Sequence, residues 1–303
     1  MTGAKAPAAG AARPGGPVDW TVCCRHGGLD VPVPVRYREA GGTLLILLHG
    51  LGCGKDSFNG AFEAPGLRGY SICALDFPGH GTAARRDLPG GLCTLESCAG
   101  ITRLAVRQLT ELRGRRHDLV HVAGHSMGGA VAVLLAGKLP GTGCTVSIDG
   151  NLTAQDCGLA SRAIAGQGPD SFAAEGYGRL VSGLLESGRP DLTAWAAWCA
   201  RADPASVHAA ARSLVSWSGS GDLLARFNAL LGKKAFIYGD REDKRHLLGR
   251  LEGAAISAVP GSGHFPMVDQ PARLYEALSR ALAPEDLSSG KPAAARGQMP
   301  RKR

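Results

Sequence analysis

Gly124-His125-Ser126-Met127-Gly128-Gly129, directly after the apolar run Leu119-Val120-His121-Val122-Ala123, decides the reading of this chain. A G-x-S-x-G string that follows a strand and opens a helix is a way of turning serine into a nucleophile. Small residues at Gly124 and Gly128 let strand and helix pass close together, while Ser126 takes a strained backbone conformation that holds its hydroxyl out at the sheet edge. With 44 glycines in the chain, the motif alone is weak. A serine alcohol is a poor nucleophile at neutral pH, so the reading also requires a histidine base and a carboxylate to orient it.

Near the C-terminus, Ala254-Ala255-Ile256-Ser257-Ala258-Val259 reads as a strand and leads into Pro260-Gly261-Ser262-Gly263-His264-Phe265-Pro266. Glycine and proline make that second segment a loop, and a helix follows in Pro271-Ala272-Arg273-Leu274-Tyr275-Glu276-Ala277-Leu278. His264, on the loop, is the candidate base. Upstream, Thr43-Leu44-Leu45-Ile46-Leu47-Leu48 reads as a buried parallel strand that ends in His49-Gly50-Leu51-Gly52-Cys53-Gly54. Such a loop can offer the Leu51 N–H to a developing oxyanion, with the Met127 N–H at a helix start as the second donor. The glycines have rivals. As a dinucleotide fingerprint the third glycine falls one place early, and as a phosphate loop Gly54-Lys55 lies too close to Gly50 and is followed by Asp56 rather than Ser or Thr.

HGLGCG at 49–54, LDFPGHG at 75–81, GHSMGG at 124–129 and SGHFPM at 262–267, in this order and spacing, resemble the α/β-hydrolase superfamily over most of residues 18–284. The resemblance implies an α/β fold: a mostly parallel central sheet flanked by helices, with a helical cap inserted after the sixth strand. In that family the nucleophile precedes the acid and the acid precedes the histidine, which Ser126 and His264 satisfy. It makes the 75–81 turn structural, His80 included. It also offers two positions for the acid. One follows the strand Val146-Ser147-Ile148 and is Asp149, before Gly150-Asn151. The other follows Lys234-Ala235-Phe236-Ile237-Tyr238-Gly239 and holds Glu242 and Asp243. Asp149 is the preferred acid, Asp243 the alternative, with Glu242 behind them.

The chemistry implied is acyl transfer: His264 takes the Ser126 proton, the alkoxide attacks an ester-like carbonyl, and water later frees the acyl group. The expected substrate is an ester or thioester of a small to medium, largely apolar acyl group. The same residues would also serve carbon–carbon bond hydrolysis, lactone opening or acyl transfer, or a slow ligand-binding receptor. No metal or organic cofactor is called for. His117, His121 and His125 recur every fourth residue, but on a strand neighbours would lie ~13 Å apart, too far to share an ion.

At 303 residues with 44% hydrophobic content, the chain has enough material for one large α/β core. Of the formal net charge of +8, residues 1–17 carry +2 and residues 285–303 carry +3, which leaves +3 for the body. Basic excess confined to tails without aromatics argues against specific nucleic-acid binding. Both tails read as disordered. Residues 1–17 lack an apolar signal segment, and no apolar run is long enough to span a bilayer. Nine cysteines without metal-type pairing read as reduced thiols, so a cytoplasmic location is expected.

The expected layout is a core of 18–151 and 233–284 with a helical cap at 152–232, the interval where the resemblance places one. Three of the four tryptophans, Trp195, Trp198 and Trp217, fall in that interval. Trp195 and Trp198 are three apart and would share a helix face, either lining an acyl pocket or forming the cap's own core.

Overall fold

The computed structural model describes residues 16–84, 88–139 and 141–284. The tails expected at 1–17 and 285–303 lie outside this range except for residues 16 and 17. Eight strands form one sheet: β1 (Val18–His26), β2 (Leu29–Arg38), β3 (Thr43–Leu48), β4 (Ser71–Leu75), β5 (Leu119–His125), β6 (Thr142–Ile148), β7 (Lys233–Gly239) and β8 (Ala255–Val259). Their spatial order is β1-β2-β4-β3-β5-β6-β7-β8. β1 and β2 form an antiparallel hairpin that joins β4 antiparallel; from β4 to β8 all pairings are parallel.

β3 shows why the centre of this sheet reads as a continuous apolar run. Successive side chains point to opposite faces, and both faces are covered. Leu44, Ile46 and Leu48 enter a core shared with α1 (Leu95–Arg113) and α2 (Met127–Leu135). Leu45 and Leu47 enter a second core with Phe58 and Phe62 and, at the far end of the chain, Leu274 and Leu278.

Between β6 and β7 the chain is mostly helical: α3 (Gly158–Ala165), α4 (Pro169–Ser171), α5 (Tyr177–Glu186), α6 (Pro190–Cys199), α7 (Pro204–Ser220) and α8 (Asp222–Ala229). Three further helices complete the fold: α9 (Arg245–Leu248), α10 (Pro266–Asp269) and α11 (Pro271–Leu282). Among the described residues no helix is long and apolar enough to cross a membrane.

Consecutive connections reverse direction about β3, which pairs with β4 on one side and β5 on the other. Such a reversal opens a crevice beyond the carboxyl ends of the parallel strands. The loops that follow β3, β5, β6, β7 and β8 all meet there.

Candidate active site

Strand β5 runs into α2 with a single residue, Ser126, at the joint. Its backbone sits at φ 52° and ψ −118°, a conformation that side-chain-bearing residues avoid. Two glycines allow this bend. A Cβ on Gly124 would lie 2.0 Å from the Gly128 carbonyl oxygen, and one on Gly128 would lie 2.1 Å from that of Leu48 in β3. The G-x-S-x-G spacing is therefore a packing requirement, and the Ser126 N–H fixes the bend by donating to Ile148 O at 2.9 Å.

The loop after β8 brings in His264. Its Nε2 lies 3.1 Å from Ser126 Oγ, although the two residues are 138 positions apart. Behind it, His125 Nε2 donates to the His264 carbonyl oxygen at 2.7 Å, and the Gly263 N–H donates to Asp269 at 2.8 Å. Burial, aided by the nearby His125 and Lys244, pushes the His264 imidazole well below the ordinary histidine range. The ring is thus neutral at physiological pH, the state required of a proton acceptor.

Asp149 stands at the end of β6. It and Ser126 are the two non-glycine residues with positive φ among the described residues, Asp149 at 45°. Its N–H donates to Ile237 O at 2.7 Å, and its Oδ2 accepts from the Gly239 N–H at 2.9 Å. Oδ1 is fully buried without a hydrogen-bond partner; the Lys244 ammonium lies 3.5 Å from it. Burial raises this carboxyl to about 7, against the opposing pull of Lys244 and the Gly239 N–H. Among the described residues the hydrogen bond of the His264 ring is the one to Ser126, and no carboxylate is hydrogen-bonded to it.

Asp243 is exposed, and Arg245 occupies both of its oxygens at 2.9 and 2.7 Å, holding it far below the usual carboxylate range. Glu242 and Asp243 both lie on the wall of the cavity.

The two proposed oxyanion donors, the N–H groups of Leu51 and Met127, donate to no protein acceptor among the described residues. The Leu51 loop is held from both sides. Trp195 Nε1 donates to Leu51 O at 2.9 Å. His49 Nε2 accepts from the Phe77 N–H at 3.0 Å, so its Nδ1 carries the hydrogen and donates to Gly50 O at 2.8 Å. Lys55, whose position invited a phosphate-loop reading, is buried against Asp76 with its ammonium 3.1 Å from the carboxylate. The 49–55 and 75–82 loops therefore interlock as one support.

A cavity of about 270 Å³ opens over Ser126, bounded by Leu51, Asn151, Leu192, Trp195, His264 and Phe265. Ion-paired groups complete its wall. Arg189 is bonded to Asp191, Lys244 lies between Asp149 and Asp156, and His246 Nε2 lies 2.9 Å from Asp156. Trp195 thus lines the cavity. Trp198 is not part of that lining; its ring lies 6.1 Å from that of Phe265. Trp217 bonds Glu96 elsewhere. His121 accepts from the Cys144 N–H at 2.8 Å, bridging β5 and β6 where their register shifts.

Three residues matter here that their local sequence did not single out: Asn151, whose Oδ1 accepts from Ser126 Oγ at 3.0 Å, together with Lys244 and His125. The Gly-Asn after Asp149 was the visible signal for the first.

A family model described as the alpha/beta hydrolase family matches residues 45–277. The chain belongs to the α/β-hydrolase family. This hydrolase is 40% identical over 101 residues, 33% of its length, to a dihydrolipoyllysine-residue acetyltransferase component of the acetoin cleaving system from Pseudomonas putida. The stretches matched in that protein and in its Cupriavidus necator counterpart span 24% and 27% of those relatives. Among solved structures, the hydrolase is similar in fold to the N-acyl homoserine lactonase AidH complexed with N-butanoyl homoserine. There the TM-score is 0.69 at 18% identity, covering 87% of this chain and 95% of that one. A thermophilic esterase from Thermogutta terrifontis superposes with a TM-score of 0.62 at 19% identity, covering 87% of this chain and all of that one, 100%.

Proposed function

We propose that this α/β-hydrolase is a serine hydrolase that cleaves an ester or thioester of a small to medium acyl group through an acyl-enzyme. The observation that carries the reading is the 3.1 Å approach of a neutral, buried imidazole to a serine hydroxyl on a strained bend. His264 removes the Ser126 proton as the oxygen attacks, and the N–H groups of Leu51 and Met127 receive the charge that develops on the carbonyl oxygen. His264 then returns its proton to the leaving group and activates the water that frees the acid.

Asp149 is the acid in this reading, in preference to Asp243. It belongs to the loop hydrogen-bonded to the nucleophile, and its Oδ1 is buried and unpartnered, so a hydrogen bond from the His264 ring would satisfy it. Ionised, it would orient the imidazole and stabilise its cationic form without taking the proton. The cavity volume supports a modest acyl group, and the helical segment between β6 and β7 acts as a cap, since it supplies Leu192 and Trp195 to the wall. The charged pairs on that wall favour a polar leaving group over an apolar one. The similar proteins include a lactonase, an esterase and an acetyltransferase component, which agrees with chemistry at an acyl group.

The test is a panel of nitrophenyl esters and acyl thioesters of graded chain length, run with Ser126→Ala alongside. Turnover of short-chain members, abolished in the variant together with labelling by a serine-reactive phosphonate, is the expected result. Silence across the panel, or labelling that survives in Ser126→Ala, would refute it.

A further inference from the structure

Ser126 has two neighbours competing for a single hydrogen. Its Oγ lies 3.1 Å from His264 Nε2 and 3.0 Å from Asn151 Oδ1. A hydroxyl donates one hydrogen bond at a time. The amide cannot turn its NH₂ to the serine, because Nδ2 is spent donating to the Asp156 carbonyl oxygen, which only accepts. The rest of Asn151 is equally fixed: its N–H donates to Ser126 O at 3.4 Å, and its own carbonyl accepts from Ser218 Oγ at 3.1 Å. The residue is 2% exposed, so its polar groups depend chiefly on these protein partners.

Two arrangements follow. In one, Ser126 donates to Asn151 and the hydrogen on His264 Nε2 points at the serine oxygen, so the imidazole is in the wrong form to act as a base. In the other, Ser126 donates to His264, Nε2 is free to accept, and Asn151 Oδ1 is left idle in a buried place. Leaving a buried acceptor idle is unfavourable, which favours the first arrangement in the free protein.

We propose that Asn151 is a positioning residue that parks the Ser126 hydroxyl in the resting protein, away from His264, and so restrains the nucleophile until substrate is bound. This rests on Ser126 being the nucleophile and adds a restraint that a triad alone does not contain. No bond is made or broken in parking; one hydrogen bond is exchanged for another.

The experiment compares phosphonate labelling rates of the wild type, Asn151→Ala and Asn151→Asp, with Ser126→Ala as control and the melting temperature of each recorded. Removing the acceptor in Asn151→Ala is expected to raise the labelling rate about threefold to tenfold, the factor carried by a hydrogen bond of ordinary net strength. A carboxylate accepts more strongly, so Asn151→Asp is expected to lower the rate by a similar factor or more. A residue that merely supports the bend would slow labelling in both variants, and that result, or no change in either, overturns the proposal. Failure of the wild type to label would instead remove Ser126 as nucleophile, and the parking role with it.

Discussion

Two loops of this molecule carry acids close to the same cavity, and they differ in nearly every physical respect. The loop after β6 holds Asp149 in a strained conformation, fully buried, one oxygen bonded to Gly239 and the other unsatisfied beside Lys244. The loop after β7 holds Asp243 in solvent, with both oxygens closed by Arg245 two residues away. An exposed pair of that kind contributes little to stability and has little to give to a neighbour. A buried carboxyl at a point of backbone strain is costly, and strain of this kind gathers at functional sites. The comparison teaches that the acid's usefulness depends on what surrounds it more than on its distance along the chain from a strand end.

The largest effect that would break the contrast comes from neutralising each acid in turn. Asp149→Asn is expected to lower kcat/KM by about 10⁴, the scale set by losing the orienting carboxylate of a triad, with the fold retained. Asp243→Asn should stay within about twofold of wild type, because its charge is already answered by Arg245. Steady-state kinetics on the best ester of the panel measures both. Equal losses would show that position at the end of β6 confers nothing special, and a large loss in Glu242→Gln alone would transfer the role to Glu242.

Lys244 sharpens the contrast, because it sits on the β7 loop yet acts on the β6 acid. The Asp149 carboxyl is raised to about 7, and Lys244 is the foremost influence holding it from going higher. His264 is pushed well below the ordinary histidine value, so it is already neutral where Asp149 begins to ionise. The acidic limb of kcat/KM against pH is therefore expected near 7, with activity rising as Asp149 loses its proton. Lys244→Met should move that limb to higher pH, and a displacement of about one unit would cost about fivefold at pH 7, the ionised fraction falling from about a half to about a tenth. Stability carries the opposite sign. Ionising a buried carboxyl whose folded value exceeds its unfolded one costs free energy, so its contribution is lost as pH climbs from about 4 to about 7. Asp149→Asn should remove that part of the pH dependence of the melting temperature.

Most of the framework was legible in the sequence because its signals are local. The run from Thr43 to Leu48 is apolar without interruption, as a strand covered on both faces requires, and Gly124 and Gly128 flank Ser126 because any Cβ there would strike backbone. His264 was legible from its strand, loop and helix context. The choice among Asp149, Glu242 and Asp243 was less so: each follows an apolar strand, and only burial and the partner at Gly239, 90 residues away, set Asp149 apart. Asn151 was written in the sequence as a neighbour of Asp149, while its bond to Ser126 depends on two strand ends meeting across the sheet. Trp198 reads in sequence as the equal of Trp195, three residues earlier on α6. The register of that helix against the core turns only Trp195 to the cavity.

That division between the two tryptophans gives the smallest expected effect. Trp195 reaches from α6 back to Leu51, 144 residues earlier, and its indole N–H holds the carbonyl of the residue whose own N–H is proposed to receive the oxyanion. Trp195→Phe keeps the apolar wall and the stacking on Phe265 but deletes that one hydrogen bond. The freed carbonyl belongs to the peptide unit after Leu51 and the donor to the unit before it, so loosening the first lets the chain pivot at the Leu51 Cα and costs the N–H part of its preorganisation, which is where oxyanion stabilisation resides. The expected outcome is a fall in kcat of about threefold to tenfold with KM nearly unchanged, since the interaction weakened belongs to the transition state rather than to ground-state binding. Trp198→Phe should leave both parameters within about twofold, because Trp198 is outside the cavity lining and meets the site at the Phe265 ring. If the two variants behaved alike, the loop after β3 would be held by His49 and Lys55 alone, and the helical segment between β6 and β7 would shape the pocket without helping to build the oxyanion site.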